Sequence, residues 1–525
     1  MSEKIHCVIG SGPAAVACAQ ALLARGAQVL MLDAGTQLEP ARAAIVSQLA
    51  AQPPEIWDAA ALEKIHAHIP PGEKNLPDKL LFGSDFIYRG AEKWIPWRGE
   101  NVDLKPSLAL GGLGNVWGAA MLPYRDVDIA DWPVRSAQLA AHYAAVAQFT
   151  GLSGVADDLA EWFPLPKTKA TPARASRQAE MLLGNLQRQR ARLRERGWRF
   201  GRARVAVRGG DCHHCGQCMQ GCVYDAIYNS ASTVRQMQAH KNFSFRPSVI
   251  VTRVAETADG VDIFAKSMAD GGELKFSAAR VFLAAGVIPT AQIVLRSRAL
   301  YEQPVRLRDS QYFLFPLLLA RGAGDVRCEA LYTLSQVFIE LQRPEISART
   351  VHLQIYTYSQ LIGEALRRSF GPLAGALEPL ARKLEERLVI VQGFLHSDDS
   401  RSMEMILRRE HSGDRLHVRA LDDRFPRPAI KRVVRELLKN FRALGGLPLS
   451  PQLQIPNPGR SFHNGGSFPM RAHPGALETD TLGRLPGWEK IHLADASVLP
   501  SIPANTITFT AMANAHRIGW ESATL

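Results

Sequence analysis

The sequence predicts a mixed fold, an α/β domain assembled from separated stretches of chain joined to an α+β domain built on an antiparallel sheet. Three observations predict it. Residues 5–9 are an apolar run, Gly10-Ser11-Gly12 follows, and a helical stretch over 16–25 leads into a second apolar run at 28–32. A third apolar strand at 281–283 meets another turn, Ala284-Ala285-Gly286, before an apolar helical stretch at 293–295. Between about 305 and 455 the runs 312–319, 337–341, 351–356, 388–395 and 403–407 read as antiparallel strands with solvent on one face.

The N-terminal unit is a strand, glycine turn, helix, strand and acid, with Asp33 placed 23 residues after Gly10. That order is a Rossmann-like dinucleotide fingerprint, and each part has a physical reason. Gly10 permits the tight turn, and Gly12 lets the backbone approach a pyrophosphate. Pro13 and Ala14 open the helix, whose N-terminus faces the phosphate charge, and Ala15 keeps that helix close to the strand. Asp33, with Ala34 beside it, can accept a hydrogen bond from a ribose hydroxyl. The second turn at Ala285 and Gly286 suits a discontinuous flavoprotein domain and favours FAD over NAD.

The chain of 525 residues is long enough for two large domains, and 46% hydrophobic with 21% charged residues is ordinary globular composition. The net charge of +12 is concentrated: residues 174–208 hold eleven arginines against Glu180 and Glu195. This basic stretch reads as a solvated helix face, or as a docking surface for an acidic redox partner, an anionic lipid or a phosphorylated substrate. No nucleic-acid motif accompanies it, which excludes DNA and RNA as expected partners. No signal region opens the chain and no window holds about 18 uninterrupted apolar residues, so the expected location is cytoplasmic, with export on a partner's signal as the alternative.

Of seven cysteines, four are crowded as Cys212-x2-Cys215-x2-Cys218-x3-Cys222. Scattered pairs would make a disulfide framework; this crowding predicts a metal site in a reducing compartment. Zinc sites usually come as two separated pairs, so an iron–sulfur cluster is the expectation and zinc the alternative.

Residues 361–388 carry apolar residues at helical spacing, punctuated by Arg367, Arg368, Arg382, Lys383 and Arg387, with Gly371 and Pro372 splitting two helices. They read as a helical pair packed on the core, or as a greasy basic lid that rests on a membrane or admits a lipid-like substrate. The expected organisation is a dinucleotide-binding domain at 1–304, with an arginine-rich helical segment at about 170–210 and the cysteine loop at 212–222. A substrate domain follows at 305–455, and a C-terminal return at 456–525.

The C-terminal return carries a resemblance. His463-Asn464-Gly465-Gly466-Ser467 with Met470, then the strand-like segment 491–500 containing Asp495-Ala496-Ser497, then Asn505-Thr506-Ile507-Thr508, resemble the glucose–methanol–choline family of FAD oxidoreductases. Gly111-Gly112-Leu113-Gly114-Asn115-Val116-Trp117-Gly118 is similar to that family's glycine loop over the flavin, and Asp131-Trp132-Pro133 also fits. Thr506 stands where the family usually has proline. The glycine loop has no histidine of the kind some members use for covalent attachment, so the resemblance implies non-covalent FAD.

The resemblance implies flavin contacts from Gly112, Asn115, Val116, Trp117, Asp495, Ala496 and Thr506. It also implies His463 as the base for a substrate hydroxyl and Asn505, 42 residues on, as the hydrogen-bond partner of the alkoxide. Imidazole, with an unperturbed pKa of about 6.5, suits a base near neutral pH. Cys212, Cys218 and Cys222 match the ligand spacing of the iron–sulfur flavin subunits of bacterial glucose, gluconate and sorbitol dehydrogenases. Cys215 is extra, so both 3Fe–4S and 4Fe–4S remain open. The implied function is an alcohol dehydrogenase acting on a sugar or a lipid-like alcohol, with electrons leaving through the cluster to an acceptor protein or quinone. An oxygen-using oxidase with a structural metal, desaturation or lyase chemistry, and a non-catalytic FAD-fold subunit are the alternatives.

Overall fold

The computed structural model describes residues 4–66 and 78–523. Its organising sheet is parallel, in the order Ile491–Leu493, Arg280–Leu283, Ile5–Ile9, Gln28–Leu32, Phe243–Arg246. The inner strands are apolar and short because that part of the sheet is covered, whereas the edge strand Phe243–Arg246 leaves Ser244 and Arg246 exposed. Helix Pro13–Ala24 packs on the C-terminal helix Ile507–Ser522, which also meets Ser136–Thr150. Sequence positions some 480 residues apart thus complete one layer.

A second, six-stranded sheet runs in the order Gly446–Pro448, Tyr312–Leu319, Leu388–Phe394, Val351–Tyr356, Val337–Leu341, Trp198–Arg202, all antiparallel neighbours. The expected solvent face is absent from its centre: Val337–Leu341 and Val351–Tyr356 are buried at every position. One face, with Ile339, Leu353 and Ile355, packs in an apolar cluster with Leu182, Leu186, Ile430 and Val433. These come from the helices Arg177–Arg188 and Pro426–Lys439. The opposite face carries the polar members of each alternation and looks into the cavity described below.

The arginine-rich segment is helical over Arg177–Arg188 and Arg190–Glu195, but Trp198–Arg202 is a strand, not helix. Its Trp198 and Phe200 are buried against the substrate sheet, which extends the sheet's edge into a segment expected to belong wholly to the dinucleotide domain. The arginines mostly face inward partners. Arg190 and Arg194 pair with Asp158, Arg194 and Arg199 with Glu161, and Arg208 with Asp211. Arg174, Arg177, Arg202 and Arg204 donate to backbone carbonyls. Four of these arginines are thus ion-paired and four more are tied to carbonyls, which anchors the segment without removing its positive charge.

The 361–388 region forms helices Gln360–Ser369 and Glu378–Glu385 around a short turn at Gly371–Leu373. Ion pairs hold it more than apolar burial does: Arg327 bridges Glu378 and Glu385, and Arg367 also reaches Glu385. Leu373 and Leu380 stay exposed. No helix of the described residues is long and apolar enough to cross a membrane.

Candidate active site

The parallel strand Ile5–Ile9 ends at Gly10, whose φ is +108°. A Cβ there would lie 2.4 Å from the Ala284 carbonyl oxygen, so only glycine lets the first and second turns touch. Gly12, by contrast, has nothing within 4 Å of its absent Cβ. It fronts an open cradle, and a Cβ on Gly112 from the far side would lie 3.5 Å from the Gly12 Cα. Helix Pro13–Ala24 starts here with Pro13 in its first turn and no side-chain cap, which leaves its N-terminal dipole for a ligand anion. Ser11 Oγ accepts the Gly111 N–H at 2.9 Å and joins the two glycine segments.

Asp33 ends the next strand. Its carboxylate accepts the Gly35 N–H at 2.7 Å, and burial pushes its pKa up to about 7 against hydrogen bonds that pull it down. Asp495 does not turn its side chain toward the cradle. It accepts from Gly286 N–H at 3.0 Å, Thr290 Oγ1 at 2.6 Å and Ser497 N–H at 2.9 Å, which locks the second turn to the C-terminal return.

One cavity of about 340 Å³, in the size range of cofactor and substrate clefts, connects these parts. Its wall includes the expected Gly10, Gly12, Pro13, Ala14, Asp33, Gly112, Val116, Trp117, Ala285, Gly286, Asp495, Ala496, Thr506 and His463. Four expected residues stand off the wall. Ala15 is buried under the helix, and the Ala34 carbonyl accepts from Ser248. Asn115 braces its own loop by donating to Leu110 and Gly112 carbonyls and accepting from Asn229. Asn505 is fully buried one layer back, beside the wall residue Thr506, with Nδ2 donating to Glu340 Oε2 at 3.0 Å. Leu104–Ser107 and Ser461, Phe462 also line the cavity, and nothing in their local sequence marks them.

His463 sits where the short strand Asn464–Gly465 pairs with Pro304–Asp309. Its N–H donates to Ser461 Oγ, which donates to the buried Asp309, and its carbonyl accepts from Ser310. The ring stacks on Phe394 at 4.9 Å. Burial, with His352 second, lowers its pKa to about 3, so the imidazole is neutral and can accept a proton. Nδ1 is buried with no hydrogen-bond partner.

The wall opposite the cradle is the polar face of the six-stranded sheet: Gln354, Tyr356, Gln392 and Phe394. Strand pairing sets His352 opposite Phe394 and Glu340, and Gln354 opposite Gln392. Sequence reading passed over these residues. The alternation Val-His-Leu-Gln-Ile-Tyr at 351–356 was the signal, since a period of two puts His352, Gln354 and Tyr356 on one face.

The cysteine loop does not line the cavity. Backbone N–H groups point at the sulfurs: from His214 to Cys212, Gln217 to Cys215, Thr333 to Cys218, and Tyr224, Ala226 and Ile227 to Cys222. The sulfurs feel one another's charge, and burial pushes each thiol up, Cys215 to about 12. Lys79 is buried nearby; burial lowers it to about 8, opposed by Cys218 and Cys222, and its Nζ reaches the Trp117 carbonyl at 3.5 Å. Among the described residues, however, no group of three or more His, Cys, Asp or Glu side chains converges closely enough to hold a metal ion. The loop has the donor chemistry of a thiolate site without its closed geometry. The dinucleotide cradle does fit FAD: it offers an open glycine approach, a helix N-terminus and a buried acid on one cavity.

No family model and no curated protein matches the chain. Solved structures do. Pyridoxine 4-oxidase from Mesorbium loti superposes with a TM-score of 0.60 at 14% identity, covering 99% of each chain. A formate oxidase gives 0.61 at 13% identity, over 100% of this chain and 99% of that one. A fungal aryl-alcohol oxidase gives 0.59 at 12%, again over 100% and 99%. The chain has the fold of these proteins along its whole length: a Rossmann-type parallel sheet joined to an antiparallel substrate sheet.

Proposed function

We propose that the protein is an FAD-dependent oxidoreductase of glucose–methanol–choline type that oxidises a CH–OH group to a carbonyl. One observation carries this: a single cavity joins the dinucleotide cradle to a neutral, buried histidine and a polar sheet face. Gly10, Gly12 and the helix opened by Pro13 hold the pyrophosphate, Asp33 a ribose hydroxyl, and Val116, Trp117 and Ala496 the ring system. FAD bound there supplies the hydride acceptor. His463, neutral by burial, takes the hydroxyl proton of a substrate that lies against Phe394, Tyr356 and Gln392. Asn505, one layer behind that site, keeps a buried carbonyl oxygen with no partner; an amide oxygen only accepts, so it is placed to take a hydrogen bond from the substrate hydroxyl. The structural neighbours include a pyridoxine 4-oxidase, a formate oxidase and an aryl-alcohol oxidase, which supports the same class.

The finer reading is that electrons leave through an iron–sulfur cluster on Cys212, Cys215, Cys218 and Cys222 to a protein or quinone acceptor. The four thiols and the N–H groups aimed at them support it. The open geometry and the oxidases among the structural neighbours favour the alternative, return of electrons to oxygen. Anaerobic purification with flavin, iron and sulfide quantitation separates the two. One flavin with about three or four irons is the dehydrogenase result; flavin without iron, and peroxide formed from alcohol in air, is the oxidase result. Protein that takes up no FAD would sink both.

A further inference from the structure

The cavity wall opposite the cradle is backed by an unbroken hydrogen-bonded chain, and its direction can be read from the groups in it. The Tyr356 hydroxyl donates to Gln354 Oε1 at 3.3 Å, which turns Gln354 Nε2 toward His352 Nε2 at 3.1 Å. An amide nitrogen can only donate, so His352 Nε2 accepts and the ring proton sits on Nδ1. Nδ1 then donates to Glu340 Oε1, while Glu340 Oε2 accepts from Asn505 Nδ2 at 3.0 Å. Glu340, His352 and Asn505 are each 0% exposed. With no water to substitute, a lost donor or acceptor in this chain leaves its neighbour unpaired.

The chain spans two strands and the C-terminal return; it starts at the cavity wall and ends one layer behind it. Tyr356 and Gln354 are wall residues, and Asn505 precedes the wall residue Thr506. Its aromatic setting is equally constrained. Phe394 stacks on His463 and also on His352, and Phe338 meets His352 edge-on. Arg125 and Arg204 lie within electrostatic reach of Glu340 and offset its buried charge.

We infer that His352 is a positioning residue: through Glu340 it fixes which way the Asn505 amide points. A carboxylate oxygen accepts only, so Asn505 must give it the NH2 end and turn its carbonyl oxygen away. That oxygen has no other partner. Were Glu340 free to rotate off His352, the amide would lose the acceptor that selects this orientation. Gln354 is the outer anchor, because it dictates the tautomer of His352. The inference rests on the proposed alcohol oxidation, in which Asn505 serves the substrate oxygen.

The test uses FAD-loaded protein and anaerobic stopped-flow bleaching of the flavin. The reductant is the first effective alcohol among D-glucose, glycerol, benzyl alcohol and 1-octanol. His352→Phe keeps the ring packing and removes both nitrogens. It should slow flavin reduction at saturating alcohol by about 10- to 100-fold, the scale of a misplaced group, with KM little changed. His352→Asn returns a donor near the position of Nδ1 and should recover most of the rate. In an Asn505→Ala background, His352→Phe should add nothing further, because it acts through Asn505.

Three results would overturn the inference: a His352→Phe protein as fast as the parent, an additive loss in the Asn505→Ala background, or no recovery with asparagine. A crystal structure of FAD-loaded His352→Phe gives a readout without turnover. The Asn505 side chain should leave its rotamer, and one that stays in place refutes the tether. If no alcohol bleaches the parent, the functional reading fails, and this structure alone still judges the tether. Should the phenylalanine variant not fold, Gln354→Leu, which removes the outer anchor, carries the same rate and structure tests.

Discussion

The two sides of the cavity are built by different means. The cradle is made of backbone: Gly10, Gly12 and Gly112 create it by what they lack, and its ligand-facing groups are a helix terminus and one acid. The opposite wall is made of side chains that strand pairing brings together, Glu340 from one strand, His352, Gln354 and Tyr356 from the next, and Gln392 and Phe394 from a third. A backbone site fails all at once when one residue acquires a side chain. A side-chain network degrades by steps, one bond at a time.

The largest expected effect lies on the cradle. Gly10→Ala places a methyl 2.4 Å from the Ala284 carbonyl oxygen at a φ of +108°, and should abolish FAD retention, read as loss of the flavin absorbance from purified protein. Next comes the wall. His463→Ala should keep its flavin yet lower the rate of flavin reduction by alcohol about 10²- to 10⁴-fold, the contribution of a general base; a variant of normal rate would remove His463 from the chemistry. Between the two stands the joint made by Asp495. Thr290→Val removes its 2.6 Å hydrogen bond to the buried carboxylate and should cost about 2 kcal/mol, seen as a lower denaturation midpoint with flavin still bound.

The last expected effect is a slope in pH. His6, His142, His463, His492 and His516 are all lowered by burial, to between about 3 and about 4. Below their ordinary value of about 6.5 the unfolded chain binds protons that the folded chain refuses. Stability should therefore fall progressively as pH drops from about 6.5 toward 4, and be insensitive to these groups above that window. His463→Phe should flatten the slope slightly, measured by melting at stepped pH. For the same reason, flavin reduction should show no inflection near pH 6.5 from His463.

The legible half was the half set by local chain geometry. Gly10, Gly12 and Asp33 declare a turn and an acid at fixed offsets, and the second turn at Gly286 repeats the grammar. Asn115 braces its own loop, a role that a sequence cannot tell from one that faces outward. The wall was misread for a related reason. Alternation says that one face differs from the other, and the polar face was given to water. Here it faces an internal cavity, a distinction that depends on what the other strands and Asn505 bring to the opposite side. The arginine stretch shows the same limit: its partners Asp158 and Glu161 precede it by a few dozen residues, and only the fold reveals that they meet.

The parallel sheet takes its outer strand, Ile491–Leu493, and the helix Ile507–Ser522 that covers Pro13–Ala24, from the last residues of the chain. On a ribosome adding roughly 5–20 residues per second, strand Ile491–Leu493 and helix Ile507–Ser522 follow strand Ile5–Ile9 and helix Pro13–Ala24 by about half a minute or more. Until they arrive the apolar faces of the first strand and helix stay uncovered, so the sheet should depend on chaperone protection during translation.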